Sequence, residues 1–247
     1  MTGFLLFQLY GPMASWGEIA VGEERDTASH PSRSAVLGLC AAALGIRRDE
    51  DERLQALNQS LGFAVRVDSH GDLLRDYHTV QSPTGKKARD LPTRRDELNY
   101  QSREATLTKR HYRSDACYTV CLWRRSAQGP VSLHELSDAL KSPVYALYLG
   151  RKSCPLALPL APKLVEVASL REAFLEAPVD PDLRRRLKVQ GTQSIFWDAD
   201  IGDVKAGMQA MHQSKRWDRV VSREGWQFAR RDEAFSRVSA EPPKEVR

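Results

Sequence analysis

The first 150 residues alternate apolar runs with amphipathic stretches, and the order of these stretches restricts the fold class. Residues 4–10 form a short apolar run that stops at Gly11 and Pro12, which predicts a buried strand. Residues 32–44 carry apolar side chains at helical spacing ahead of Gly45 and predict a first helix. Residues 63–67 and 73–80 then predict strands on either side of a Ser-His-Gly-Asp turn.

The same kind of alternation continues toward residue 150. Residues 49–60 predict a shorter helix, and residues 116–123 predict a strand. A Ser-x-x-Glu capping box at Ser132 and Glu135 predicts a helix through Lys141, and residues 144–149 predict another strand. The order strand, helix, strands, helix, strand is typical of a ferredoxin-like α+β domain, with helices on one face of the sheet. RNA-recognition modules (RRM) have this layout and turn the free sheet face to single-stranded RNA.

The composition changes beyond Gly150. Several prolines punctuate short segments, and only residues 193–197 and 226–229 predict strands there. We therefore predict an RRM-like domain over residues 1–155 and a smaller β-containing lobe over residues 156–247. The polar tail that begins at Glu241 is expected to fray.

Bulk composition restricts the location and chemistry of the protein. A chain of 247 residues with 41% hydrophobic residues can bury a substantial core. It has no apolar run near the roughly 20 residues that span a bilayer and no signal peptide, which predicts a cytoplasmic protein without membrane contact.

Four scattered cysteines without a CxxC pair predict no metal site, and Cys117 and Cys121 are expected to pack as small hydrophobes. Hydrolase and nucleotide-binding motifs are absent, and no cofactor is predicted.

A charge-dense stretch over residues 80–113 interrupts the alternation. Nine Lys and Arg residues exceed four Asp and Glu residues by five in this segment, which equals the formal net charge of the whole protein, +5. The cations are Lys86, Lys87, Arg89, Arg94, Arg95, Arg103, Lys109, Arg110 and Arg113. Together with Tyr100 and Tyr112, which offer rings for stacking, they suit a polyanion such as single-stranded nucleic acid. The alternative is a solvated, mobile loop that is charged for solubility.

Four short motifs resemble a known family. They read GPMASWG at residues 11–17, PSRSAVLGL at 31–39, LRDYHTV at 74–80 and YLGRKSCPL at 148–156. In this order they resemble the CasD family, the Cas-five-type subunits (RAMP superfamily) of type I-E CRISPR Cascade complexes. The basic segment falls where that family has a thumb, while the chain beyond about residue 160 matches it only loosely.

The resemblance implies a function and a set of partners. It implies a non-catalytic subunit of an antiviral surveillance complex that caps the 5′ handle of the CRISPR RNA (crRNA) and helps to kink the guide with its thumb. It also implies contacts with the Cas-seven-type backbone subunit, with the large subunit that reads the PAM and with other Cascade subunits. The resemblance therefore implies that this protein contacts target DNA only indirectly.

Individual residues give more local expectations. Trp16, between glycines outside a strand, is expected to expose a flat ring that stacks on a base or packs against a partner. Arg33 and Ser34 begin the first helix, where free N–H groups and a guanidinium can hold a phosphate, although a plain helix start is the alternative. Gly150 would let an RNA backbone approach while Arg151 and Lys152 neutralise its charge.

The complete set of predicted RNA contacts adds thumb residues and members of the family motifs to these positions. It consists of Trp16, Arg33, Ser34, Arg75, Tyr77, Arg94, Arg95, Lys109, Arg110, His111, Tyr148, Gly150, Arg151 and Lys152. A metal-independent endoribonuclease that processes precursor crRNA is the alternative function. It would use Lys109, His111 and Tyr112, because RNA cleavage needs a base, an acid and a cation. The resemblance favours a holder, since cleavage in type I-E systems belongs to a different subunit.

Overall fold

One antiparallel sheet takes its strands from both halves of the sequence. The computed structural model describes residues 1–18, 20, 22–85, 90–126, 129–177, 180–189, 191–223 and 225–239. The strands within these ranges are Thr2–Tyr10 (β1), Met13–Ala14 (β2), Glu24–Arg25 (β3), Leu61–Ser69 (β4), Asp72–Pro83 (β5), Arg103–Ser114 (β6), Cys117–Arg124 (β7), Lys163–Val167 (β8), Thr192–Asp198 (β9), His212–Ser222 (β10) and Gln227–Ser239 (β11).

The large sheet has seven strands in the order β10-β11-β9-β4-β7-β1-β8, and each neighbouring pair is antiparallel. A second sheet is built on β6, which pairs with β2, β3 and β5. The mixed α+β class predicted from the sequence is therefore confirmed. No helix in the described ranges is long and apolar enough to cross a bilayer.

Seven helices lie within the described ranges, and side chains cap the starts of most of them. They span Arg33–Ala43 (α1), Asp51–Ser60 (α2), Arg94–Asn99 (α3), Leu133–Lys141 (α4), Leu170–Leu175 (α5), Pro181–Arg186 (α6) and Asp203–Ala206 (α7). The Ser32 hydroxyl accepts a hydrogen bond from the Ala35 N–H at the start of α1. Ser132 and Glu135 form the predicted capping box at the start of α4. The predictions for α1, α2 and α4 are confirmed.

Strand β1 supplies both halves of the core through its two-residue period. Leu5, Phe7 and Leu9 belong to the cluster that packs with α1, α2 and α4. Phe4 and Leu6 point to the opposite face of the sheet. All five side chains are buried, which explains why apolar residues follow one another from Phe4 to Phe7 in β1.

The second face of the sheet is covered, which corrects the expectation of a free RRM-like face. Leu170, Ala173 and Phe174 of α5 pack on this face in the same cluster as Phe4 and Leu6. Arg66 on this face donates hydrogen bonds to Asp68 and to the Phe174 carbonyl, both at 2.6 Å. The chain beyond residue 160 therefore occupies the surface on which an RNA-recognition module would bind its ligand.

The strand predicted at residues 144–149 is wrong. The backbone N–H groups of Val144 and Tyr145 donate to the carbonyls of Ala43 and Ala42, so this segment closes the C-terminal end of α1. The strand that follows α4 in the sheet is β8, which pairs with β1 from Thr2↔Val167 to Leu6↔Lys163. An apolar run alone did not distinguish a strand from a helix-capping segment.

The later part of the chain holds more regular structure than the sequence predicted. The strands predicted at residues 193–197 and 226–229 are confirmed as β9 and β11. Strands β8 and β10 were missed, as were α5, α6 and α7. The division at residue 155 stays a prediction, while β8 and β9 pair with β1 and β4 across it. The tail from Glu241 lies outside the described residues.

The cysteines pack as small hydrophobes, as predicted. Cys40, Cys117, Cys121 and Cys154 are free thiols and all are buried. Burial raises the pKa of the Cys40 and Cys117 thiols to about 12, so both are neutral at physiological pH. Among the described residues no group of His, Cys, Asp and Glu side chains could hold a metal ion.

A buried ion network joins α1 to the later strands. Asp198, at the end of β9, accepts hydrogen bonds from Arg33 Nε at 3.3 Å and from Arg231 Nη1 at 3.0 Å. Arg231 also contacts Asp218 at 2.8 Å and Glu233 at 2.7 Å. All five side chains are less than 9% exposed. Each buried charge thus has an opposite partner, as burial requires.

We expect the carboxylate of Asp198 to be essential for stability. Asp198→Asn keeps the shape but leaves three guanidinium groups around a neutral amide, which should lower the free energy of unfolding by about 3–5 kcal/mol. Asp200→Asn is the matched control, because Asp200 is more than half exposed and forms a surface ion pair with Arg125, and it should cost less than about 1 kcal/mol. Urea unfolding of both variants measures the difference, and equal losses would contradict a central role of Asp198.

Glu233 should make stability depend on pH in the acid range. Burial opposes ionisation of Glu233, but the hydrogen bond with His30 and the charges of Arg231 and Arg216 outweigh it and lower its pKa to about 2. Its ionised form therefore stabilises the fold fully above its unfolded pKa of about 4.5, and this contribution is lost as the pH falls toward 2. Thermal unfolding between pH 5 and pH 2 should show a shallower pH dependence for Glu233→Gln than for the wild type. Parallel curves would refute this role.

Candidate nucleic-acid interface

The basic segment forms a long hairpin and not a structureless loop. Strands β5 and β6 pair without interruption from Asp72↔Ser114 to Pro83↔Arg103. Helix α3 lies in the connection between them. Lys86, Lys87 and Arg89 of the predicted segment lie outside the described residues. Most side chains of both strands are exposed to solvent, so the hairpin offers its charges to a ligand.

The two faces of this hairpin carry opposite charge. Directly paired residues of antiparallel strands project from the same face, so Arg75 shares a face with His111, and Tyr77 with Lys109. We call this the basic face; its charged and aromatic members are Arg75, Tyr77, Arg103, Lys109, His111 and Arg113. The two strands have no carboxylate on this face. The opposite face has Asp72, Asp76 and Glu104, with Arg110 as its one Lys or Arg.

The hairpin therefore separates the predicted thumb contacts. Arg75, Tyr77, Lys109 and His111 lie together on the basic face, and Tyr77 is 61% exposed. Arg110 projects from the opposite face. Arg94 and Arg95 are exposed on α3, where Arg94 Nη1 contacts the Glu97 carboxylate at 2.5 Å.

His111 is held at the base of the basic face by two charged neighbours. Its Nδ1 contacts the Asp26 carboxylate, and its Nε2 accepts a hydrogen bond from Arg75 Nε at 2.9 Å. Because Arg75 can only donate, the ring proton lies on Nδ1. Asp26, which is distant in sequence, supplies the orienting carboxylate that the sequence did not reveal.

The residues of the nuclease alternative do not converge. Lys109 and His111 lie on the basic face, whereas Tyr112 projects from the other face and is buried. Lys109 Nζ lies 3.7 Å from a carboxylate oxygen of Glu24. Both nitrogens of His111 are already bonded. A general base at this position would first have to lose its bond with Arg75.

Gly150 serves the packing of the chain itself. Its φ is +84°, and a Cβ atom placed on it would lie 1.9 Å from the Ser15 carbonyl oxygen. The expectation that its missing side chain leaves room for an RNA backbone is therefore wrong, because the Ser15 backbone fills that room. Arg151 stacks over the Tyr112 ring at 4.8 Å and donates to the Arg25 carbonyl, while Lys152 is exposed.

Trp16 is also internal, which corrects the expectation of an exposed ring. Its side chain is 2% exposed and meets the Tyr118 ring edge to face, with 5.6 Å between centroids. The backbone carbonyl of Trp16 accepts a hydrogen bond from the Ala28 N–H, and the backbone N–H of Trp16 donates to the Thr27 hydroxyl. In this arrangement the ring packs in the core and has no face free for a base.

Arg33 belongs to the ion network and not to the surface. It is 3% exposed, and its guanidinium donates to Asp198 and to the carbonyls of Asn58 and Leu61. Burial lowers its pKa, and the charge of Asp198 opposes that effect. The predicted phosphate contact of Arg33 is therefore wrong for this arrangement. Ser34 remains partly exposed, and its carbonyl accepts a hydrogen bond from Arg223.

Sequence reasoning missed a cleft of about 1480 Å³ between α1, residues 145–148 and the β10–β11 hairpin. We call it the aromatic cleft, after the exposed rings of Tyr145, Tyr148, Trp217 and Trp226 along it. Of the predicted contacts, Trp16, Ser34, Tyr148 and Gly150 are among the residues that line it. Two tryptophans within a run rich in Lys and Arg were the available signal in the sequence.

Comparisons with known proteins agree with one another. A family model described as CRISPR-associated protein (Cas_Cas5) matches residues 4–231. The CRISPR system Cascade subunit CasD of Escherichia coli (strain K12) is 38% identical over 209 residues, which cover 81% of this chain and 88% of that protein.

Two solved structures share the fold. A chain described as a CRISPR RNA-guided surveillance complex superimposes with a TM-score of 0.64 at 26% identity and covers 98% of this chain and 95% of that one. A chain described as a Cas protein gives a TM-score of 0.62, also at 26% identity, with 96% and 95% covered. Since the family model spans most of the sequence, this chain belongs to the CRISPR-associated Cas5 family.

Proposed function

We propose that this chain is a non-catalytic, crRNA-binding subunit of a type I-E CRISPR Cascade complex and that it caps the 5′ handle of the guide. The observation that carries the proposal is the basic face, where cations stand beside an exposed tyrosine and to which neither β5 nor β6 contributes a carboxylate. Such a surface neutralises phosphates and stacks bases, as single-stranded RNA requires. The likeness to a Cascade subunit supports the assignment of the RNA.

We infer that β1, α1, β4, β7, α4 and β8 form a ferredoxin-like unit. The order β4-β7-β1-β8 and the antiparallel pairing of these strands support this reading. The hairpin of β5 and β6 is inserted between β4 and β7 and corresponds to the thumb. With both faces of the sheet covered, RNA would be gripped by the thumb and by the exposed Arg94, Arg95 and Lys152.

The implied partners follow from the same assignment. A hairpin of two 12-residue strands with mostly exposed side chains is long enough to reach a neighbouring protein. We propose that it contacts the Cas-seven-type backbone subunit, while the body of the chain contacts the large PAM-reading subunit and meets target DNA only through the complex. The proposal places this complex in the cytoplasm.

Adjacent residues of β6 allow a matched test of the basic face. Lys109→Gln and Arg103→Gln should each weaken crRNA retention and lower the slope of log affinity against log salt by roughly 0.7 per lost phosphate contact. Arg110→Gln removes the same charge from the opposite face and should leave the slope unchanged. Salt titration of the reconstituted complex measures all three variants.

The comparison has two informative outcomes besides the expected one. Equal slopes for all variants and the wild type would mean that the hairpin does not contact RNA. A loss of subunit assembly in Arg110→Gln alone would assign the acidic face to a protein neighbour and leave RNA on the basic face.

Metal-independent cleavage of precursor crRNA is the second candidate, because Asp26 holds His111 as an orienting carboxylate would. We expect the purified chain without metal to leave a repeat hairpin intact over hours, since Arg75 occupies the nitrogen that a general base needs. If specific cleavage occurs and His111→Ala slows it by about 100-fold or more, the holder assignment is wrong. Gel analysis of labelled precursor, with Arg110→Gln as control, measures this.

A further inference from the structure

The aromatic cleft presents large rings that the protein core does not use. Trp217 of β10 is 50% exposed, and Trp226, in the turn before β11, is 59% exposed. Tyr145 and Tyr148 line the same cleft and are 45% and 43% exposed. Exposed tryptophans that line one concave surface are characteristic of a binding site, because each leaves a large apolar area in contact with water.

Each tryptophan has an arginine on one side of its ring. The guanidinium of Arg48 lies 4.7 Å from the Trp226 centroid, and that of Arg230 lies 4.7 Å from the Trp217 centroid. Both are cation–π contacts, and Arg48, which also lines the cleft, brings positive charge to it. Even with these arginines in place, Trp217 and Trp226 stay at least half exposed to solvent.

The backbone at Trp226 is held in an unusual conformation. Its φ is +50°, a region that bulky L-residues rarely adopt and that glycine would occupy without strain. The turn is anchored on the rest of the fold, because Ser222 Oγ and the Arg223 N–H both donate to the Asp51 carboxylate. A tryptophan at a strained backbone position, with its side chain largely exposed, is consistent with a binding role for the ring.

The charges along the cleft leave a positive excess for a ligand. Its acidic residues are already paired: Glu18 with Arg216, Asp49 with Arg47, and Asp218 with Arg231. Three further lining cations, Arg48, Lys215 and Arg223, have no ion pair within the part of the chain that the structure describes.

Arg223 is the most informative of these cations. It is partly buried, and its guanidinium donates to the Ser34 carbonyl at 2.8 Å and lies 5.8 Å from the Phe228 ring centroid. Burial lowers its pKa, and the nearby charge of Arg48 lowers it further. An anion between Arg223 and Arg48 would relieve this repulsion.

We propose that the aromatic cleft binds unpaired nucleotides of single-stranded RNA, with bases stacked on Trp217 and Trp226 and phosphates held by Arg48 and Arg223. This inference rests on the proposed function and adds a second RNA site, separate from the basic face, to which the β10–β11 hairpin contributes. Exposed rings, together with cations that have no ion pair among the described residues, match the bases and phosphates of a single strand. An acidic peptide would use the cations but would leave the ring faces without a matching partner.

The test uses the full chain and the reconstituted complex. Titration of the full chain with an oligouridine of about eight nucleotides should quench its tryptophan fluorescence, and Trp217→Ala and Trp226→Ala should each lower the affinity roughly tenfold. Trp226→Phe should retain most of the affinity, because it keeps a ring for stacking. Leu175→Ala, at an exposed apolar residue of α5, is the control and should change nothing.

Crosslinking separates the possible failures. In the complex, crRNA that carries photoreactive 4-thiouridine at its unpaired positions should crosslink to residues 217 or 226. If Lys109→Gln weakens RNA retention while both tryptophan variants bind RNA as the wild type does, the cleft is not an RNA site but the proposed function stands. If the tryptophan variants lose a protein subunit and keep oligouridine binding, the cleft belongs to a protein partner and the inference is overturned. A wild-type complex without RNA would overturn the proposed function itself.

Discussion

The architecture depends on the buried carboxylate of Asp198. It receives Arg33 from the first helix, the Phe63 N–H from β4, and Arg231 from β11, so three elements distant in sequence meet on one side chain. A carboxylate with 1% exposure is tolerated only because several donors replace its water. The network therefore fixes how the later strands dock on the first helix, with a geometric specificity that apolar contacts alone would not supply.

Docking of the later strands changes what the sheet can do. In a bare ferredoxin-like unit one face is free for a ligand, but here Phe174 and its helix cover that face. Under the proposed function, RNA would therefore bind outside the central strands, on the β5–β6 hairpin and in the aromatic cleft. The cleft exists only because the β10–β11 hairpin, anchored through Asp51, lies beside α1.

The hairpin shows how strand periodicity can organise charge. In the sequence, Lys109 and Arg110 are adjacent and appear equivalent. Pairing in register sends them to opposite faces, one with cations and the other with carboxylates. A segment whose linear composition is only moderately basic thereby presents one strongly basic surface. The same alternation places Tyr112 in the core and His111 beside Arg75, which separates two residues that a linear motif groups together.

The sequence by itself determined those features that depend on neighbours along the chain. Apolar periodicity and capping residues identified α1, α2 and α4 and the strands β1, β4, β7, β9 and β11, and four motifs identified the family. Tertiary structure decided the features that depend on residues brought together from a distance. Arg33 became a core residue because the fold pairs it with Asp198, which is 165 positions away in the sequence. Gly150 faces the Ser15 backbone instead of a ligand. Residues 144–149 became a cap because the end of α1 offered unpaired carbonyls to their N–H groups. The sequence around a single arginine, glycine or apolar run does not show which residues will pack against it. Burial determines whether such a residue binds a ligand or stabilises the fold, and only the tertiary structure defines burial.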